Sequence, residues 1–477
     1  MMIKFKGIVM EKNKELIKNT IIILLGKFCT QFLSFFLLPL YTGVLSANEY
    51  GTYDLIVTYT SLFVPVISLQ LEMAIFRELI DVRNDNEKID TIISSGMFSI
   101  VLQFCICLIF YYLASIFINI PYKNYIIFNI FAVMVSNTFM QITRGLGKNI
   151  DYSISSVIAG ITMILFNIVF LGILKLNVEG MIISSIISNI LAALYILVRC
   201  KLYKKFKYSN VSKKVVHKLL KYSLPLVPNG LIWWIINVSD RTIISIFLGT
   251  GANGIYAVAN KFSSILIQIF NIFNLSWTES ASLHINEKDK NDFFSGVFNK
   301  TLKYSITICL LIVGVLPFLF NILISKSYSE AYMYIPILLI GMIFNIIVSF
   351  LGSIYVAEKL TKEVAKTSFW AGILNILINI LFVKYLGIYA AAISTVLSFL
   401  IMSVFRMVDV QKYVKIKINF RENSIIILLF LISLLIYYFN NVLISIVFST
   451  FIIVYVFIDN RKYIYIIFQR LIHGKRI

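Results

Sequence analysis

Fourteen long apolar stretches, each close to the length a helix needs to cross a bilayer, leave this chain few folds to choose from. They begin near residues 20–41 and 54–76, continue through 223–248 and 255–279, and end near 423–439 and 442–458. Each run is continuous where a membrane β-barrel would alternate, and lipid cannot satisfy an exposed peptide group, so the spans are expected to be helices. Composition agrees: 59% of residues are hydrophobic and 14% charged, against roughly 45–50% and 25% in a soluble domain. The expected fold is an all-α polytopic membrane protein of about fourteen transmembrane helices.

The net charge of +20 is explained by where it sits. Between Arg199 and Lys221 the chain carries nine basic residues and no acidic one. A nucleic-acid patch would look similar, but spanning-length apolar segments flank this run, which makes it a cytoplasmic loop and excludes nucleic acid as the expected partner. With the loops alternating in side, 35 of the 43 Lys and Arg residues fall in inner loops and tails and four in outer loops. That bias places both termini in the cytoplasm of a multi-pass plasma-membrane protein. The N-terminus reads as a basic tail before a retained first helix, with Met10 an alternative start to Met1.

An internal repeat organises the spans. Leu45-Ser-Ala-Asn-Glu-Tyr-Gly51-Thr-Tyr53 and Leu248-Gly-Thr-Gly-Ala-Asn-Gly254-Ile-Tyr256 share the pattern L-x5-G-x-Y at an offset of 203 residues. The unit is therefore about six spans. It predicts an N-terminal lobe over 1–198, a basic linker over 199–222, a C-terminal lobe over 223–407, and spans 13 and 14 with a basic tail over 408–477. Two six-helix lobes in parallel orientation imply a pseudo-two-fold axis along the membrane normal with a cavity between them.

Four cations remain inside spans: Lys27, Arg77, Arg241 and Lys261. They fall on spans 1, 2, 7 and 8, which the repeat makes equivalent in pairs. A charge within a membrane helix faces a bundle interior or a watery cavity, so these four are the candidate substrate-binding residues. At about 1.5 Å per residue, Lys27 and Lys261 lie roughly 14–15 Å deep, whereas Arg77 lies near the inner face and Arg241 near the outer one. Arg77 can also be read as reaching the inner interface beside Glu78. Glu72, Asp240 and Glu279 are the carboxylates expected inside spans. Glu72 could pair with a lysine or carry a coupling ion, and Asp240 is a charge partner in the region of Arg241. Because neighbouring helical residues point apart, Asp240 and Arg241 each need another partner.

No catalytic constellation is visible. Cys29, Cys105, Cys107, Cys200 and Cys309 lack metal-ligand spacing and read as small buried residues, and His217, His284 and His473 do not cluster. No metal or cofactor is expected. Gly145-Leu-Gly147-Lys148 superficially resembles a phosphate loop, but it follows a membrane helix and lacks the nucleotide-binding spacing.

Several stretches carry a family likeness: Leu38-Pro-Leu-Tyr-Thr-Gly-Val-Leu-Ser-Ala-Asn-Glu-Tyr-Gly51, Arg144-Gly-Leu-Gly-Lys-Asn149, Tyr222-Ser-Leu-Pro-Leu-Val-Pro-Asn-Gly230, Asp240-Arg241 and Gly254-Ile-Tyr-Ala-Val-Ala259. Across nearly its whole length the chain resembles the polysaccharide or oligosaccharide flippases (the O-antigen and capsule repeat-unit translocase type) of the multidrug, oligosaccharidyl-lipid and polysaccharide exporter superfamily. The resemblance implies a transporter, not an enzyme. It would carry an undecaprenyl-pyrophosphate-linked glycan from the cytoplasmic to the outer face by alternating access, with helices 1, 2, 7 and 8 lining the cavity. It also implies membrane lipids and a glycan polymerase or other assembly proteins as partners, and a monomer is expected. A drug or cation antiporter of the same superfamily and a peptidoglycan-precursor flippase are the alternatives. A glycan polymerase is disfavoured because no expected outer loop exceeds roughly a dozen residues.

Overall fold

The computed structural model describes residues 35–439, 441–459 and 461, and every regular element among them is helical. In the first half these are α1 (Leu38–Val44), α2 (Ala47–Ile67), α3 (Leu71–Asp81), α4 (Asn86–Phe117), α5 (Lys123–Gly145), α6 (Asn149–Asn167, prolonged by a π turn to Ile173), α7 (Asn177–Arg199), α8 (Leu202–Lys205), α9 (Lys213–Ser223) and α10 (Leu226–Leu248). The second half holds α11 (Thr250–His284), α12 (Lys290–Leu323), α13 (Ala331–Ala357), α14 (Thr361–Leu386), α15 (Ile388–Val410), α16 (Phe420–Phe439) and α17 (Val442–Asp459). Among the described residues, nine helices are long and apolar enough to cross a membrane, α2 and α3 form a tenth span bent by 54°, and two shorter apolar helices close the chain. Lys27, Cys29 and His473 lie outside the described residues.

Two compact units divide at Gly254 and Ile255, within α11. In the first, α3, α4, α5 and α7 share a core of Leu71, Ile75 and Leu79, Ile93, Ile130 and Ile142, and Ile196. The first copy of the repeat starts α2 with a capping box: Ser46 Oγ accepts from the Glu49 amide at 3.3 Å and Glu49 Oε2 accepts from the Ser46 amide at 2.9 Å. In the second copy Gly249 holds the equivalent place with φ +88°, a conformation that glycine adopts without steric cost. The bend between α2 and α3 follows Pro65 and passes through Leu69 and Gln70, both left-handed at φ 51° and 53°. Gln70 Nε2 donates to the Leu226 carbonyl at 2.9 Å, tying this break to the start of α10.

The basic stretch after Arg199 is less uniformly charged than its sequence implies. It folds into α8, a short 3-10 turn and α9, with α9 packed on α3 and α4 through Leu219. Three of its cations pair with carboxylates drawn from elsewhere: Arg199 with Asp151 at 3.2 Å, Lys205 with Asp90 at 3.3 Å and Lys218 with Glu78 at 2.5 Å. Asp90 and Asp151 sit near the starts of α4 and α6, and Glu78 near the end of α3. The cysteines also differ from expectation: Cys200 and Cys309 are buried, but Cys105 is exposed.

In the second unit α13, α14 and α15 pack together while α12 packs on α16 and α17. Arg406 is buried in α15, which runs on to Val410. Its guanidinium donates to the Val348 carbonyl at 2.9 Å, the Val364 carbonyl at 3.1 Å, Thr367 Oγ1 at 2.7 Å and Ser368 Oγ at 3.2 Å. One side chain thus staples three helices, and Gly352 leaves it room: a Cβ there would stand 2.9 Å from Arg406 Nη1. Arg406→Ala is expected to strand these acceptors and to destabilise the second unit by about 3 kcal/mol. A thermal-shift measurement in detergent checks this, and an unchanged midpoint would refute the staple.

Candidate functional site

The first unit brings the two copies of the repeat motif into contact. A Cβ added to Gly51 would overlap the Thr250 carbonyl and stand 2.7 Å from the Gly254 amide; one added to Gly254 would overlap the Ala47 carbonyl. The equivalent glycines of the two copies are thus each other's packing surface. Their lack of a side chain is what lets the first turns of α2 and α11 approach this closely. Asn253 reaches across the crossing, donating to the Gly51 carbonyl at 3.0 Å and to Asp54 Oδ2 at 3.3 Å, and Thr250 Oγ1 donates to Asn48 Oδ1 at 3.3 Å.

One turn further along α2 the crossing meets α10. Arg241 Nη1 lies 3.3 Å from Asp54 Oδ1 and donates to Thr58 Oγ1 at 3.3 Å. This is the partner that Arg241 needs, since Asp240 is adjacent in the helix. The two side chains are 23% and 10% exposed, so the pair is largely withdrawn from solvent and its breakage is costly. Trp234 Nε1 donates to the Thr58 carbonyl at 3.1 Å and its ring stacks on Tyr59, making Trp234 a packing residue of the α2–α10 seam. Tyr59 also lines an apolar recess of about 600 Å³, with Phe63, Phe110, Tyr111 and Ile126.

Several polar atoms around this seam are buried with no hydrogen-bond partner among the described residues: Arg241 Nε, Asn253 Oδ1, and the hydroxyls of Ser239, Thr242 and Ser245. Buried polar atoms are almost always satisfied, so a cluster of orphans calls for an explanation.

The other residues singled out from the sequence are distributed as follows. Asp240 is buried at 5% exposure in α10. Arg77 lies on α3, where it pairs with Asp81 at 2.6 Å, while the adjacent Glu78 is engaged by Lys218. Both partners of the Arg77 pair are about half exposed, which leaves it weak and exchangeable. Glu72 starts α3 and buries Oε2 with no hydrogen-bond partner among the described residues. Lys261 lies on α11 in the second unit, partly buried, and Glu279 of the same helix is exposed beside Asn274, Thr278 and Ser282. The structure therefore joins Arg241 to Asp54, a residue that the sequence reading passed over at the first position of its second window. The signal was there, since a lone Asp one turn beyond the repeat glycine has no reason to sit in an apolar helix unless a cation meets it.

Comparison with known proteins gives these features a family. No curated protein matches the chain. Among solved structures, a lipid II flippase MurJ in an inward closed conformation is similar, with TM-score 0.71 at 20% identity over 94% of this chain and 100% of that one. A multidrug resistance MATE family transporter of the MOP superfamily in an inward-facing conformation is similar at TM-score 0.66 and 12% identity, over 83% of this chain and 98% of that one. A MATE transporter in an outward-facing conformation has TM-score 0.56 at 13% identity, over 82% and 93%. These likenesses establish the fold, while the family model for polysaccharide biosynthesis proteins matches residues 16–277, more than half of the 477 residues. The chain therefore belongs to the polysaccharide biosynthesis protein family.

Proposed function

We propose that this protein moves an undecaprenyl-pyrophosphate-linked glycan from the cytoplasmic to the outer face of the plasma membrane, by alternating access, with both of its own termini in the cytoplasm. The observation that carries this reading is the seam at Asp54, Arg241, Gly51 and Gly254: a charged, repeat-related contact inside a chain of the polysaccharide family, surrounded by buried polar atoms that await partners. Such a seam has two arrangements available, closed as described and open with its polar groups hydrated or bound to sugar. The two six-span lobes over 1–198 and 223–407 supply the moving parts in this proposal.

The lipid-linked head is a diphosphate that hydrocarbon rejects, whereas the polyprenyl chain stays in lipid. Lys27, Arg77 and Lys261 meet the diphosphate in turn, lysine as a point charge and arginine as a bidentate donor. Arg77 suits this role because its exposed partner Asp81 is easily exchanged for phosphate. Arg241 engages Asp54 in the closed seam and becomes available to the head only when α10 parts from α2. Glu72, whose Oε2 is buried with no hydrogen-bond partner among the described residues, takes the coupling proton or cation in this reading.

The test is the sidedness of the lipid-linked oligosaccharide in cells lacking this protein, complemented with wild type, Lys27→Ala, Lys261→Ala or Arg241→Gln. Precursor is expected to accumulate on the cytoplasmic face and to stay there with the variants, each confirmed as inserted. Cells that clear their precursor normally but become sensitive to cationic drugs would transfer the assignment to an antiporter.

A further inference from the structure

The turn between α5 and α6 is left unused by the seam. It contains Arg144, Gly145, Leu146, Gly147 and Lys148, and Gly147 adopts φ +77°, so that the chain reverses tightly at the common end of two membrane-length helices. Arg83, just beyond α3, folds over this turn: Nε donates to the Gly145 carbonyl at 2.8 Å and Nη2 to the Arg144 carbonyl at 3.2 Å. The Arg144 guanidinium is held between two aromatic faces, 4.7 Å from the Phe76 ring centre and 5.6 Å from that of Tyr152, with Nη1 donating to Gln141 Oε1 at 3.0 Å.

Three cations therefore converge on one short turn, and none of them forms an ion pair among the described residues. The carboxylates closest in the chain are already engaged: Asp151 by Arg199 and the Tyr195 hydroxyl, Asp81 by Arg77 and Asp85 by Lys88. The N-terminus of α6 opens on the same turn with Lys148 as its cap residue and no side chain satisfying its first amides, adding partial positive charge. Both guanidiniums are fixed in place by neutral groups while most of their N–H donors remain uncommitted, an arrangement that suits an anionic oxygen ligand. Ile150 and Ile154, one turn apart on α6, are 54% and 41% exposed, so the turn sits where an apolar helix surface gives way to a charged end.

We propose that Arg83, Arg144 and Lys148 form a binding site for the phosphate group of a membrane lipid. The turn is not a nucleotide loop, as its spacing already indicated; it serves phosphate through side-chain cations at headgroup level. The inference does not rest on the transport reading, because a structural phospholipid would satisfy it as well as a polyprenyl diphosphate.

Native mass spectrometry of the full chain, released from neutral detergent, measures adducts with three probes: a polyprenyl diphosphate, phosphatidylglycerol and inorganic pyrophosphate. Arg144→Gln and Lys148→Gln are each expected to weaken lipid binding roughly tenfold, as for loss of one charge-assisted hydrogen bond, with part of the affinity retained by Arg144→Lys. Lys148 has an exposed side chain, so its variant reports on binding without disturbing the fold. Lys218→Gln, which removes a basic charge at α9, is expected to change nothing. Whichever lipid shows the Arg144 and Lys148 dependence is the ligand class. Equal loss in all three Gln variants, no loss in any, or pyrophosphate binding as tightly as the lipids would each overturn the proposal.

Discussion

Arg241→Gln is expected to abolish complementation while leaving the protein inserted, because it strands the Asp54 carboxylate in a seam where only 10% of that side chain reaches solvent. Removing one partner of a buried pair costs roughly 3–5 kcal/mol, which is enough to shift a two-state equilibrium by two orders of magnitude or more. Asp54→Asn should do nearly as much harm by leaving the guanidinium unpaired. The decisive comparison is the double variant Asp54→Asn/Arg241→Gln: with no charge left to strand, it should recover part of the thermal stability lost by either single change. Additive losses in that cycle would mean that the two residues act separately.

The second large effect is steric. Gly51→Ala places a methyl group on the Thr250 carbonyl, and backbone cannot yield as a flexible side chain can, so the crossing of α2 and α11 must open. A destabilisation of the closed arrangement by more than about 4 kcal/mol is expected, within the class of changes caused by backbone overlap. Cysteines in place of Asn48 and Thr250, whose side-chain oxygens are 3.3 Å apart, give a direct readout. They should cross-link readily in the wild-type background and poorly with Gly51→Ala. Undiminished cross-linking would show that the glycine is tolerant and the crossing unimportant.

How far the sequence carried this reading depended on whether the signal was local. Apolar runs announce spans because a helix in lipid must satisfy its own backbone, and the L-x5-G-x-Y repeat announced the glycines that meet. Arg241 was identifiable as a charge needing an explanation, but its partner lies 187 residues away, and nothing in periodicity says which of several acids packs beside it. The same holds for the basic stretch, whose neutralising carboxylates come from α3, α4 and α6, and for Arg406, which is satisfied entirely by carbonyls and hydroxyls. The bend after Pro65 was hidden within one apolar window, since hydropathy averages across a break that two left-handed residues make.

The glycine crossing also limits how far the two copies can differ. Gly51 and Gly254 occupy the same place in their respective copies, and each occupies the space that the other leaves empty. Elsewhere the two copies differ, as the capping serine of one and the left-handed glycine of the other illustrate. At this one point divergence remains forbidden, because a side chain gained by either copy would land on the backbone of its twin.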